Sequence, residues 1–353
     1  MSARKLLATI LLCLASACLV AAPTLNPSHP DRYVVVEGDT LWDIAGKFLR
    51  DPWRWPDVWH VNPQVKNPHL IYPGDVLSLT YDENGNPIIV SKRGRPTVKL
   101  SPNIRSSRLD RAIPTIPLNV IRPFLSRPMA VSENELADAA YVVRSAGEHV
   151  VAGAGDKVYV RGIKQKNKSK FSLFRLGGPY KSPDAGEDGE ILGYEAIFVG
   201  EGTAEAFGDK ENEASTLLLT STEREARTGD RVLPLGDDQF NENFLPHAAP
   251  ADLNGSIISV IDGVSQIGQH QIVVIDKGAR ENIDVGTVMT VYRRGEIIQD
   301  SISGKTDDPV VLPDERAGTV LIFRASEKVS FGLVMEATRA MNLFDAVRRP
   351  PEL

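Results

Sequence analysis

Hydrophobic and polar positions divide this chain into four stretches. Residues 6–20 form an almost uncharged apolar run of Leu, Ala, Ile and Val behind Arg4 and Lys5. At about 15 residues it is shorter than the ~20 a helix needs to cross a bilayer, and small residues follow it, so residues 1–22 are predicted to be a cleaved signal peptide. Leu19-Val20-Ala21 and Ala15-Ser16-Ala17 both place small residues where a signal peptidase cuts. Ala15-Ser16-Ala17-Cys18 also admits a lipoprotein reading, although Ala15 stands where Leu, Val or Ile is usual.

The second stretch, residues 32–81, alternates short β-rich runs with helical periodicity. Residues 33–36 read as a strand and Gly38 as a turn. Asp39 or Thr40 suits the cap of a helix whose apolar face carries Leu41, Ile44, Ala45 and Phe48. A second helix is predicted after Pro52 and Pro56, with Val58, Trp59 and Val61 inward and an end near Asn62-Pro63. Pro73-Gly74-Asp75 is a turn, and residues 76–79 form the returning strand. The predicted order is β-α-α-β.

Gly38-Asp39-Thr40-Leu41, Asn62-Pro63 and the later Leu70-Ile71-Tyr72-Pro73-Gly74 fall at the spacing of a LysM domain, which this stretch resembles. Residues 51–67 run longer than in the simplest members and carry Trp53, Trp55 and Trp59, as in LysM domains of Gram-negative envelope proteins. The resemblance implies a shallow groove for N-acetylglucosamine-containing glycan, with Gly38, Asp39, Thr40 and Leu41 on one side and Asn67, Pro68, His69, Leu70 and Ile71 on the other. An N-acetyl sugar suits such a groove, because it needs backbone donors and acceptors for its amide and an apolar wall for its methyl group and ring face. Helix capping alone accounts equally well for Asp39 and Thr40. Core packing is the expectation for Trp42 and Trp59, while Trp53 and Trp55 fit packing and ligand contact alike.

Residues 82–131 change character. Between 82 and 128 there are seven prolines and nine Lys or Arg against three acidic residues, with no long periodic run. This predicts a Pro/Arg-rich linker or strap. The apolar residues of Asp110-Arg111-Ala112-Ile113-Pro114-Thr115-Ile116-Pro117 and Val120-Ile121-Arg122-Pro123-Phe124-Leu125 are too frequent for full solvation, so this piece is expected to dock on the following domain or on a partner. Lys92-Arg93-Gly94-Arg95 suits acidic wall or partner surfaces better than nucleic acid in an exported protein.

Residues 132–353 read as mainly β, with a helical turn or two at 133–140. Short β-branched or aromatic runs recur at 141–143, 149–151, 157–160, 197–199, 216–219, 257–261, 271–275, 288–292 and 320–323, separated mostly by Gly and Asp. A weak internal repeat sets Thr216-Leu217-Leu218-Leu219-Thr220 against Gly332-Leu333-Val334-Met335-Glu336, and Gly229-Asp230-Arg231-Val232 against Phe344-Asp345-Ala346-Val347. Gly155-Asp156 and Gly286-Thr287 echo the second element. A Gly-Asp turn before a strand explains this recurrence structurally.

The fold class is therefore multidomain: a small α+β LysM domain followed by a mainly β C-terminal domain. LysM, the Asp-Arg-Ala-Ile-Pro strap and the β-rich region, in that order, are similar to the secretin-associated LysM proteins of type IV pilus systems, whose last part is a FlgT C-terminal-type domain. That resemblance implies a non-enzymatic adaptor between peptidoglycan and an outer-membrane secretin ring, located in the periplasm and arranged as a ring-like multimer. A flagellar or other envelope scaffold is the alternative, and a LysM-bearing wall hydrolase a further one.

Composition narrows these readings. Hydrophobic residues at 42% and charged ones at 24% are those of a globular protein, and the net charge of −6 gives no reason to expect nucleic acid. Both cysteines, Cys13 and Cys18, lie in the signal segment, so cleavage after Ala21 leaves no thiol for a disulfide, nucleophile or metal site. None of the six histidines, His29, His60, His69, His149, His247 and His270, has the spacing of a zinc endopeptidase, and no Gly pair has the context of a nucleotide loop. No cofactor, metal or catalytic set is expected.

Overall fold

The computed structural model describes residues 23–59, 70–92, 112–125, 130–147, 149–183, 189–210, 212–235, 245–261, 266–300, 302 and 309–351. The signal segment 1–22 with its cysteines, the predicted helix end at Val61 to Asn62-Pro63, and Asn67, Pro68 and His69 lie outside these residues. Backbone contacts divide the chain into two compact units, one reaching Ile113 and one covering Pro114–Pro350.

In the first unit, β1 (Arg32–Val34), α1 (Leu41–Phe48), a single 3₁₀ turn (Pro52–Arg54), α2 (Trp55–Val58), β2 (Val76–Tyr81) and β3 (Pro87–Lys92) follow in order. The strands form one antiparallel sheet in the order β1-β2-β3. Thr40 has extended backbone and caps α1 by accepting the Asp43 N–H. Leu41, Ile44, Ala45 and Phe48 then bury as their spacing requires. Leu49 is extended, which ends the helix, and Arg50 donates to the Thr24 carbonyl.

The second helix is shorter than expected. Pro56 favours its start, but α2 makes little more than one turn, and Trp59 is already extended and bridges Ile89 in parallel. The linker prediction for 82–131 also needs correction, because β3 is a full partner of β2 and carries Ile89 wholly buried into the core. Asp82 builds the intervening turn by accepting the N–H groups of Asn84 and Asn86 at 2.8 Å each, and Gly85 takes the positive φ that closes it. Burial of one Ile side chain stabilises by roughly 1.5–3 kcal/mol, enough to recruit a strand of low intrinsic periodicity.

The second unit begins with α3 (Leu118–Leu125), β4 (Ala130–Val131) and α4 (Glu133–Asp138). Ser132 and Glu135 form a reciprocal capping box at the start of α4, and Ala140 already belongs to the next strand. There follow β5 (Ala140–Ser145), β6 (Lys157–Arg161), β7 (Lys170–Lys181), β8 (Ile191–Ala206), β9 (Ser215–Thr222) and β10 (Arg231–Pro234). They pair in the order β8-β7-β10-β5-β6-β9, and β9 returns to β8, closing a six-stranded barrel with β4 added outside β8. Residues 149–151 are not a strand; only Ala152 makes a bridge, to Ala226.

A second barrel repeats the first. After β11 (His247–Ala248) come β12 (Asn254–Val260), β13 (Ile272–Ile275), β14 (Thr287–Arg293), the small hairpin β15 (Ile297–Gln299) and β16 (Pro309–Val311), then β17 (Glu315–Ala325), β18 (Ser330–Ala337) and β19 (Ala346–Arg348). The ring β17-β14-β19-β12-β13-β18-β17 has the connectivity of β8-β7-β10-β5-β6-β9-β8. Closure leaves each barrel without free edges along its ring.

Hydrogen bonds fix the register of the repeat. Gly155 N–H donates to Leu219 and Leu219 N–H to Asp156, as His270 N–H donates to Val334 and Val334 N–H to Gln271. Val142 N–H donates to Asp230 as Ile257 N–H does to Asp345. Leu219 therefore corresponds to Val334, one residue away from the match suggested by sequence, and a one-residue slip exchanges the two faces of a strand. The counterpart of Gly155-Asp156 is His270-Gln271; Gly286 instead precedes β14, the counterpart of β7.

Candidate functional site

The two loops named from sequence meet at one end of the first unit. Val35 N–H donates to the Asp75 carbonyl at 2.9 Å, and Gly74 N–H donates to the Val35 carbonyl at 2.8 Å. Each loop turns on a glycine with positive φ, Gly38 at 98° and Gly74 at 93°, a conformation other residues enter only with strain.

Side chains within the loops stiffen them. Asp39 Oδ2 accepts from the Val36 N–H and from the Tyr33 hydroxyl, both at 2.9 Å. Burial, then the Asp39 hydrogen bond and charge, raises the Tyr33 phenol above its ordinary value. Lys47 Nζ sits 5.0 Å from the centre of the Tyr33 ring. Thr40 Oγ1 accepts the Asp43 N–H and donates to the Asp43 carboxylate at 2.7 Å. In the opposite loop Asp75 Oδ2 accepts the Tyr72 N–H at 3.0 Å. Thr40 thus acts as a cap, and Asp39 as a loop brace.

Of the nine residues predicted for the groove, the described ones fall into two groups. Gly38, Asp39 and Leu70 face solvent at least in part, whereas Thr40 is buried and Leu41 and Ile71 belong to the core, at 3% and 1% exposure. Leu41 and Ile71 can reach a ligand only through their backbone. Val36, which the sequence reading omitted, is exposed on the same loop as Gly38, and the alternation of Tyr33 and Val35 inward with Val34 and Val36 outward already carried that signal. Trp42 and Trp55 are buried, Trp59 is half-buried, and Trp55 meets Trp59 edge to face with ring centres 6.1 Å apart.

The strap supplies an unexpected support. Ile113 is buried in this core and its N–H donates to the Ile71 carbonyl at 2.8 Å. Ile113 therefore docks on the preceding domain, while the rest of the described strap joins the following unit as expected: Ile116 and Ile121 are buried, and Arg324 donates to the Phe124 carbonyl at 3.3 Å. The Ile71 carbonyl is committed to the Ile113 N–H.

Elsewhere, Thr287, His247 and Asp284 form a hydroxyl–imidazole–carboxylate cluster. Thr287 Oγ1 donates to Asp284 Oδ1 at 2.9 Å, and His247 Nε2 lies 2.8 Å from the same oxygen. His247 Nε2 also lies 3.2 Å from Thr287 Oγ1, so one ring nitrogen faces both partners while Nδ1 lies 3.2 Å from the Leu245 carbonyl; a base-activated nucleophile instead uses the two nitrogens separately, one toward the hydroxyl and one toward the carboxylate. Among the described residues, no group of three or more His, Cys, Asp or Glu is placed to hold a metal ion. Among them, too, no helix is long and apolar enough to cross a membrane.

Comparison with known proteins gives the class of the first unit: residues 33–80 match the LysM domain. This is a carbohydrate-binding module, and LysM domains bind the N-acetylglucosamine of peptidoglycan in proteins typically associated with cell walls. The chain is also similar to the uncharacterized protein YqbP of Bacillus subtilis (strain 168), at 40% identity over 64 residues. That match covers 15% of this chain and 29% of YqbP.

Proposed function

We propose that this protein is a non-enzymatic adaptor whose LysM domain holds the glycan of peptidoglycan while the tandem barrels hold a protein partner in the envelope. The observation that carries the reading is the pair of loops at 35–40 and 70–75, cross-linked through Val35 and stiffened by Asp39 and Asp75, within the segment that matches LysM. A rigid backbone-lined groove needs little reorganisation to receive an amide-bearing sugar. Gly38 and Asp39 present backbone to it, with Val36 and Leu70 as apolar rims. Asn67, Pro68 and His69 complete the second wall in this reading.

Retention of the full chain by purified peptidoglycan sacculi tests the groove. The double variant Val36→Asp/Leu70→Asp, still folded by circular dichroism, is expected to lose most of that retention. Equal retention of the variant overturns the proposal.

For the partner, we infer the outer-membrane secretin of a type IV pilus, with export to the periplasm by the signal segment. The order of LysM, strap and β-rich region supports this through its resemblance to the secretin-associated proteins. A single shallow groove binds weakly, and many copies around a ring raise avidity by ~10²–10⁴ without any new contact. Co-purification with the secretin is the expected result. Recovery with flagellar ring proteins would favour a flagellar scaffold, and a clearing band in zymography on wall material would favour a hydrolase.

A further inference from the structure

The two barrels carry the same face and treat it differently. In the second barrel Ile272 and Val274 of β13, Phe331 and Leu333 of β18 and Ala346 of β19 alternate with core residues and point outward, yet all are buried. Register places Lys157 and Tyr159 of β6, Thr216 and Leu218 of β9 and Arg231 of β10 at the corresponding positions of the first barrel. None of these is buried. Even the bulges correspond, between Val142 and Arg144 and between Ile257 and Ser259, so Arg144 answers to Ser259 and Arg161 to Asp276. Closing such a barrel therefore requires neither the cations nor the tyrosines of the first face.

That face is basic throughout. β5, β6, β9 and β10 contribute Arg144, Lys157, Arg161 and Arg231 and carry no Asp or Glu. Cross-strand pairing sets each tyrosine beside guanidinium groups: Tyr141 has Arg161 and Arg231 as its partners on the two flanking strands, and Tyr159 pairs with Arg144. The Arg231 guanidinium is 5.5 Å from the centre of the Tyr141 ring, and Tyr159 is 40% exposed.

These cations lack strong counter-charges. Among the described residues, Arg144, Arg161 and Arg231 form no ion pair, and Arg161 donates to the Asn212 side-chain carbonyl at 3.0 Å. Glu213 beside it turns to the Asp209 and Lys210 N–H groups. Glu205 of β8 meets Lys157 at 2.7 Å, in an exposed pair of little worth that a ligand can replace.

We propose that this face binds an anionic glycan, a saccharide strand whose sugars carry carboxylate or phosphate groups. A tyrosine ring suits the apolar face of a sugar ring, and a guanidinium beside it takes the anion through paired N–H donors. Tyr141 and Tyr159 are diagonal neighbours on adjacent strands, about 7–8 Å apart, so one saccharide strand reaches both. An acidic peptide fits less well, because the closed ring offers no strand edge for its backbone to pair with. The net charge of −6 argues against nucleic acid, and the LysM match already makes this a chain with a carbohydrate-binding module. The face lies on a different unit from the LysM groove and is independent of it, because its probes contain no N-acetylglucosamine.

Biolayer interferometry of the full chain tests it. Polygalacturonate and phosphorylated dextran are the probes, with neutral dextran, polyglutamate and single-stranded oligo-dT for comparison. Wild type is expected to bind one or both anionic glycans in preference to all three comparisons, more weakly with added salt. Arg144→Glu/Arg161→Glu should weaken that binding about tenfold or more, and Tyr159→Ala, which keeps every charge, about threefold or more. Arg293→Glu/Arg316→Glu, which reverses the same charge on the second barrel, should leave it unchanged. Circular dichroism confirms that each variant is folded, and Arg144→Gln/Arg161→Gln replaces the reversal should that one unfold. Failure of wild type to bind either anionic glycan, or binding unchanged in the face variants, overturns the proposal. An inert Tyr159→Ala would reduce the face to charge alone and overturn it too. Equal or tighter binding of polyglutamate would assign the face to acidic peptide, and of oligo-dT to nucleic acid, each overturning the glycan assignment.

Discussion

Asp230 and Asp345 occupy the same turn in successive barrels, each accepting the N–H of the residue three positions before it, but a guanidinium reaches only Asp230. Arg175 donates to both its carboxylate oxygens at 2.9 Å, and the Asp230 hydrogen bond raises the Arg175 pKa above its ordinary value. Asp345 is also buried, and its hydrogen bonds come from the backbone N–H groups of Asn342 and Arg294. Burial raises its carboxyl above the usual range.

These two turns should respond oppositely to mutation. Arg175→Met leaves the buried Asp230 carboxylate without its counter-charge and is expected to cost about 2–3 kcal/mol, at the low side for a broken buried pair because Arg175 is partly solvated. For Asp345, the folded pKa lies above the unfolded one, so its contribution to stability is full at acid pH and lost as pH rises through the folded value. Asp345→Asn removes that loss. The melting temperature of the variant relative to wild type should therefore become more favourable from pH 3 to pH 7; a difference that moves the other way contradicts the assignment.

Glu190, just before β8, links the first barrel to the second and has its pKa lowered to about 2 by hydrogen bonds from Arg280 and then Lys328. A depressed carboxylate contributes above its unfolded pKa, near 4.5, and the contribution fades as pH falls toward about 2. The site is exposed, so salt should weaken it too. Protection of the amides at residues 279–281 and 326–329, taken relative to the intrinsic exchange rate at each pH, is expected to fall on acidification or added salt in the wild type, and to be low and insensitive to both in Glu190→Gln.

Ile113 ties the strap to the LysM core. Ile113→Ala should destabilise the first unit by about 2–4 kcal/mol through lost burial and the residual cavity. Ile113→Pro keeps an apolar side chain but removes the N–H that holds the Ile71 carbonyl. Sedimentation with sacculi is expected to fall in both, and a proline variant that binds as wild type would show that the Leu70–Ile71 loop needs no such tie.

His270 and Phe344 sit at φ values of 65° and 70°, where the first barrel has Gly155 and Gly229. Side chains there strain the backbone, and both positions are turns. His270→Gly and Phe344→Gly should each raise stability by about 0.5–1 kcal/mol, measured by urea unfolding. Destabilisation of more than 1 kcal/mol would mean that the side chain, not the backbone, governs the turn.

Local physics was legible in the chain itself. Thr40 as a cap, the buried stripe Leu41, Ile44, Ala45 and Phe48, and the strand runs at 141–143, 157–160, 271–275 and 288–292 depend on neighbours a few residues away, so spacing alone specifies them. The Gly38-Asp39-Thr40-Leu41 motif likewise identified the LysM domain, because its turn and cap are fixed by adjacent residues. Tertiary structure decided what long-range pairing controls: that Pro87–Lys92 joins the sheet, that Trp59 leaves its helix for Ile89, that Ile113 turns back to Ile71, and that the β-rich half closes into two barrels. Each depends on a partner far along the chain, whose burial and hydrogen bonds outweigh local preference. The same holds for the groove, where sequence named Leu41 and Ile71 as glycan contacts and packing drew their side chains into the core.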